Sequence, residues 1–172
     1  MIRKVIMATN YFCKIKDYPG ESSDKAHKEW IEVIEFDHAL EQEAGATRAA
    51  TGGLTTGRTT HRALRIVKFL DKSTPKLAQA CSGGKHIGEV LVEFNKMIGD
   101  KQCPYMEYKL SDAVVTAVRP KAAYDERRSD SAPTEEILLG YNKIEWTYTE
   151  YDSKGGKKGQ TKGSWNLAEN TP

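Results

Sequence analysis

Residues 69–93, FLDKSTPKLAQACSGGKHIGEVLVE, constrain the fold more than any other stretch, because in them a strand ends, a helix starts and stops, and a strand begins. Thr74 or Ser73 can act as N-cap, and Pro75 suits the first helical position, where its missing N–H is no loss. Leu77, Ala80 and Cys81 recur at i, i+3 and i+4 and give one narrow apolar stripe, and Gly83-Gly84 ends it. Isolated helices need about 12 to 15 residues for even marginal stability. This one is shorter, so its stripe must plug something larger.

What it plugs is read from period-two alternation elsewhere. Tyr11, Cys13 and Ile15 alternate with Phe12, Lys14 and Lys16, and Leu64 and Ile66 share a face opposite Ala63, Val67 and Phe69. Val90, Val92 and Phe94 repeat the pattern, as do Met106, Tyr108 and Leu110, with Gly99-Asp100 between them as a hairpin turn. Two segments change phase: Ile31 and Val33 against Ile34, Phe36 and Leu40, and Ile137, Leu139 and Tyr141 against Ile144, Trp146 and Tyr148. Each change predicts a bulge or bend, the second at residues 140–143. Residues 112–118 are apolar on both faces, which predicts cover on both sides. Six or seven long strands with one helix predict a mainly β fold, a bent antiparallel β-barrel of two packed sheets with the helix across an opening.

Three regions lack periodicity. Residues 41–60 are rich in Gly, Ala and Thr and too long for an idle loop, so they read as disordered or ordered by a partner. Residues 120–133 form a second polar loop carrying Asp125, Arg127 and Arg128. Residues 152–172, rich in Gly and Lys with Trp165, read as a flexible basic tail. The expected organisation is therefore an N-terminal extension at 1–10, a barrel domain at 11–151 and that tail. Met7 followed by Ala8 also reads as an alternative start.

At 172 residues the chain suits one domain. It has no apolar run near the roughly 18 to 20 residues of a membrane span. A net charge of +2 argues against broad electrostatic binding to nucleic acid. Cys13, Cys81 and Cys103 are an odd, widely spaced set, which indicates neither a disulfide framework nor a metal knuckle and fits a reducing cytoplasm.

No constellation reads as catalytic, and no cofactor is expected. Gly52 to Thr59, GGLTTGRT, resembles a phosphate loop with Arg58 in the lysine position, but that chemistry needs a preceding strand and a following helix. His27, His38, His61 and His86 show no short ligand spacing. Cys81 reads as a small packing residue and His86 as a surface one. Glu135-Glu136 and Glu89/Glu93 read as solvated strand faces.

The residues resemble the haemolysin-coregulated protein (Hcp) family of bacterial type VI secretion systems. The likeness is carried by Ile66-Val67-Lys68, by Asp71 to Leu77, by Ala80-Cys81, by Gly84-Lys85-His86-Ile87 and by Glu89-Val90. Upstream it includes Ile15, Gly20-Glu21-Ser22, Asp24-Lys25, Ile31, Val33, Phe36 and Gly57-Arg58. Downstream it takes in Tyr105, Tyr108, Leu110, Asp112 and Val114, then Glu135, Tyr141, Lys143-Ile144, Trp146 and Tyr148.

The resemblance implies a non-enzymatic tube component. Members of the family form rings of six that stack into the inner tube, pass out with it from the bacterial cytoplasm and in several cases hold effector proteins in the lumen. The implied partners are the chain itself, contractile sheath, spike and baseplate proteins, and effectors, with no nucleic acid. Ring or stacking contacts are expected at Gly20, Glu21, Ser22, Gly45, Thr47, Arg48, Thr55, Gly57, Arg58, Asp125, Arg127 and Arg128. The competing reading is a monomeric barrel that binds a small ligand or single-stranded nucleic acid through the basic tail.

Overall fold

The computed structural model describes residues 9–42, 44–48, 54–56, 58–122 and 132–172. Strand β1 (Thr9–Ile15) pairs with β2 (Ile31–Asp37) and with β8 (His86–Ile98). An arm follows β2, built from β3 (Leu40–Glu41), β4 (Ala44–Arg48), β5 (Leu54–Thr56) and β6 (Thr60–His61). Then come β7 (Leu64–Phe69), the helix α1 (Thr74–Ser82), β9 (Lys101–Lys121), β10 (Thr134–Gly140), β11 (Lys143–Tyr151) and β12 (Lys157–Asn166). The sheet runs β10-β7-β2-β1-β8-β9 and closes on itself through β9 and β10, all antiparallel, while β11 and β12 extend from β9. The barrel expected from the alternation is present, closed by six strands.

Its interior is filled by the predicted phases: Cys13 and Ile15, Ile31 and Val33, Leu64 and Ile66, Val90 and Val92, Leu110, Ile137 and Leu139. Leu77 and Ala80 of α1 join them, with Cys81 packed at the margin. The first phase change is a register shift between Val33 and Glu35. At the second, β10 ends with Gly140 opposite Val114 and β11 resumes with Lys143 opposite Ser111, so the chain continues along the same edge of β9 after a break at Tyr141-Asn142. Asp112, at φ +52, and Gly88, at φ +77, lie at the same level, so the sheet bends across all three strands there. Aspartate tolerates the left-handed region better than bulky residues do. The Asp112 carboxylate also meets His86 Nδ1 at 2.5 Å and the Asn142 side-chain amide.

The helix start differs from expectation in its chemistry. Ser73 precedes the helix but makes no side-chain cap. Instead Asp71 Oδ1 accepts from the Ser73 amide at 2.8 Å and from its hydroxyl at 2.5 Å. That carboxylate belongs to a buried ionic cluster. Lys68 Nζ, fully enclosed, donates to Glu135 Oε1 at 2.7 Å, Asp71 Oδ1 at 2.8 Å and the Phe69 carbonyl at 2.9 Å, and Thr74 Oγ1 donates to Glu135 at 2.6 Å. Glu135 is therefore no solvated face. It and Lys68 are register partners across β10 and β7, on the interior side of the barrel where α1 begins. Glu136, on the other side, does reach the surface and binds Arg65 and Arg119.

Two further expectations change. The described part of residues 41–60 is an antiparallel ribbon rather than a structureless loop: Leu40 pairs with His61, Glu41 with Thr60, Ala44 with Thr56 and Arg48 with Leu54. The basic tail is not loose either, since β12 pairs with β11 from Lys143 opposite Asn166 to Tyr151 opposite Lys157. β11 offers an open edge, and main-chain hydrogen bonds to it need no apolar alternation in β12. At the other end, Thr9 and Asn10 already pair with Lys96 and Asn95.

Between β1 and β2 the chain makes a tight, self-bonded loop. The Gly20 amide donates to the Glu29 carbonyl at 2.8 Å and the Ser22 amide to Trp30 at 3.0 Å. His27, buried and stacked on Phe12, places its ring nitrogens 2.7 Å from Asp24 and 2.8 Å from Glu93. Phe12 and Glu93, expected on an open face, are thus covered by this loop.

Two stability tests follow from this packing. Lys68→Met leaves the enclosed Glu135 carboxylate and the partly exposed Asp71 carboxylate without a cation and should cost about 3–5 kcal/mol in urea unfolding. A loss below 1 kcal/mol would contradict the cluster's role. A methyl group at Gly20 would lie 2.4 Å from the Trp30 carbonyl oxygen, so Gly20→Ala should destabilise by roughly 1–3 kcal/mol by the same measurement.

Candidate assembly surfaces

Three features of the surface stand out once the barrel is assembled. The first is the arm, whose two rails leave the barrel after His38 and return at His61. At its base the Tyr141 hydroxyl lies 2.7 Å from His38 Nε2 and 3.2 Å from His61 Nδ1. His38 also sits edge-on to the Tyr108 ring, and His61 lies nearly parallel to Trp165. Arg62 bonds Glu41 across the rails with contacts of 2.9 and 3.2 Å. Arg58 donates to the Leu167 carbonyl at 2.6 Å, and Thr59 to the Gln42 side chain. The segment after β11 therefore buttresses the arm.

Burial shifts the groups at this base. Desolvation lowers the pKa of His38, with the nearby His61 adding to the effect and Asp37 opposing it. Desolvation lowers His61 as well and pushes the Tyr141 phenol up.

The second feature is the apolar face of β11. Ile144 is enclosed in the core, Trp146 is half-buried, and Tyr148, two residues further along the same face, is 45% exposed. Phe94, Met106 and Tyr148 form one cross-strand row, so this face continues from the barrel interior onto its flank. The opposite face of the same strands is polar, with Glu107, Lys109, Glu145, Thr147, Gln160 and Lys162 around a shallow hollow. The third feature is the loop between β1 and β2.

Of the residues expected at an interface, Gly20 and Ser22 are buried in their own loop, where they shape it. Glu21 is exposed and accepts from the Lys72 amide at 3.0 Å. Gly45, Thr47 and Arg48 lie on β4 and Thr55 on β5, all in the arm, and Arg58 stands exposed at the arm's return. Gly57, Asp125, Arg127 and Arg128 fall outside the described residues. The sequence reading missed Tyr141, His38 and His61 as a group. Nothing in their spacing joins them, and the one available signal was that the two histidines bracket residues 41–60.

The chemistry of other candidates is also placed. After Arg58 and Thr59 the chain enters β6 rather than a helix, so the phosphate-loop geometry is not formed. Trp165 is half-buried against the core, which removes it as a free stacking platform for a base. Burial pushes the Cys13 thiol up to about 12, with Lys68 opposing the shift, so it is a packing group. Among the described residues no group of three or more His, Cys, Asp or Glu converges as a metal site.

Known proteins share this architecture. A family model described as "Type VI secretion system effector, Hcp" matches residues 12–148. "Protein hcp1" of Pseudomonas aeruginosa is 32% identical over 165 residues, covering 95% of this chain and 98% of that protein. The "Major exported protein" of the same organism is 24% identical over 136 residues, 77% of each chain. A solved structure described as that of a type six secretion system protein superposes with a TM-score of 0.86 at 29% identity, covering 95% of this chain and 99% of that one. With a family match across most of its length and a relative this similar over nearly all of it, the chain belongs to the Hcp family of type VI secretion system proteins.

Proposed function

We propose that the chain is a structural tube component: six copies join head-to-tail in a ring, rings stack through the β3–β6 arm, and the tube is exported with effector proteins in its lumen. The observation that carries this reading, beyond family membership, is the two-faced sheet at β9, β11 and β12. One face is charged and suits water, while the other continues the core outward through Trp146, Met106 and Tyr148. A sheet of that kind is stable with its apolar side covered. A neighbouring protomer supplies the cover in a ring, where one surface meets a different surface on the next copy. Permanent contacts of this class bury on the order of 2,000 Å² or more.

The arm has the form of a stacking element. It is a ribbon that projects between β2 and β7 and is braced at its base. The similarity to a protein called "Major exported protein" supports export, with assembly in the bacterial cytoplasm first and with sheath, spike and baseplate proteins as the other partners. The role is mechanical rather than enzymatic. The rival picture of a monomeric nucleic-acid binder loses its motive, because the lysine-rich segment is a paired strand.

Negative-stain imaging of the purified protein at high concentration should show six-membered rings, and a strict monomer would sink the proposal. Tyr148→Glu should shift rings to monomers with the circular dichroism spectrum unchanged. If rings persist, the β11 face is not the ring contact. Deleting residues 46–56 should leave rings intact and abolish stacks, and normal tubes from that deletion would refute the role of the arm.

A further inference from the structure

We propose that Tyr141, His38 and His61 form a proton-operated latch that sets the angle at which the β3–β6 arm leaves the barrel and opens on acidification. The geometry requires it to depend on proton count. A phenol carries one hydrogen, so with an imidazole nitrogen at 2.7 Å and another at 3.2 Å it donates to one ring and accepts from the other. The ring that accepts must be neutral. Once both rings are protonated, neither has a lone pair for the phenol hydrogen, and two cations meet across one oxygen.

The position of the latch gives it leverage. His38 immediately precedes the outgoing rail and His61 ends the returning one, while Tyr141 sits at the break between β10 and β11, on the barrel. Both rails are therefore held to one fixed hydroxyl. Among the described residues the other charged or titratable groups at this end include Asp37 on β2, Tyr108 against the His38 ring, the Glu41–Arg62 pair across the rails, Arg58 on the Leu167 carbonyl, and Asp112, which is occupied by His86 and Asn142. Of these, Asp37 is the one that favours protonation of His38, and desolvation outweighs it.

The sign follows from the two lowered histidines. Each is harder to protonate when latched than in a solvated arm, whose histidines have the ordinary value of 6.5. The latch is thus fully closed above that pH and is lost as the pH falls from there towards the lowered values. Its equilibrium shifts by about tenfold for each unit by which a histidine is lowered.

The test measures hydrogen exchange at residues 39–42 and 59–62 of the full chain, kept below the concentration at which rings stack. Rates are corrected for the intrinsic pH dependence of exchange. Wild type should lose protection between pH 8 and pH 5, by about tenfold for each unit by which the two histidines are lowered, with the loss falling below pH 6.5. Tyr141→Phe should already be unprotected at pH 8 and flat with pH. The double variant His38→Gln/His61→Gln, which also serves if Tyr141→Phe fails to fold, should show no change between the two pH values. Wild-type protection that does not vary with pH, or a double variant that still loses it in acid, overturns the latch.

The consequence for tubes rests on the proposed stacking role of the arm, and sedimentation at stacking concentration separates the two. Acid-released arms with intact tubes would keep the latch and reject the stacking role. Tubes lost on deleting residues 46–56, with pH-independent protection, would keep the stacking role and reject the latch.

Discussion

The barrel depends on an ammonium group enclosed where β7, β10 and α1 meet. Lys68 occupies an interior position that Leu64 and Ile66 fill with hydrocarbon further along the same strand, and it is 0% exposed. A lone charge there would be prohibitive, and the cluster is tolerated because Glu135, Asp71 and a main-chain carbonyl surround it at hydrogen-bond distance. The same bonds fix the start of the helix. Thr74 is tied to Glu135 across the strands, and Asp71 receives both donors of Ser73, so a helix of 9 residues is anchored by the barrel at its first turn. Its apolar stripe does the rest by filling the core with Leu77 and Ala80.

The second constraint is the bend in β9. A strand of 21 residues cannot both close a barrel and carry a flanking sheet if it runs straight. The positive φ of Asp112 divides it, with the later part pairing β10 to close the barrel and the earlier part holding β11 and most of β8. The break at Tyr141-Asn142 is the matching interruption on the neighbouring edge. It is also where Tyr141 turns to meet the two histidines of the arm, so the element that bends the sheet also orients the arm. A chain of this shape presents an apolar flank on one side and a braced ribbon at one end, two surfaces suited to different contacts.

Much of this was legible from residue order. The alternating phases of β1, β7 and β8 reappear as the interior of the barrel, and both phase changes fall where the register shifts or breaks. The candidate contacts were less legible. The arm was recognisable as a segment without periodicity, but its ladder involves residues such as Ala44 and Thr56 whose types carry no strand pattern. Gly20 and Ser22 were expected at an interface through the family likeness, and nothing in their spacing shows that the loop they sit in folds inward over Phe12 and Glu93. Glu135 was misread for a similar reason, since a pair of acids at a strand start looks solvated until the lysine across the ladder is known.

Sequence alone settled what depends on near neighbours along the chain: the strand phases, the bulges, the helix with its proline start and glycine stop, and the ordered residues that carry the family likeness. The fold in space settled what depends on partners far apart in number. Lys68 with Glu135, His38 and His61 with Tyr141, and Arg58 with Leu167 meet because the barrel closes, and no local pattern encodes those meetings. The strand β12 belongs to this second group too. Its own residues favour solvent, and it is ordered because β11 presents an edge of unpaired main-chain groups for it to satisfy.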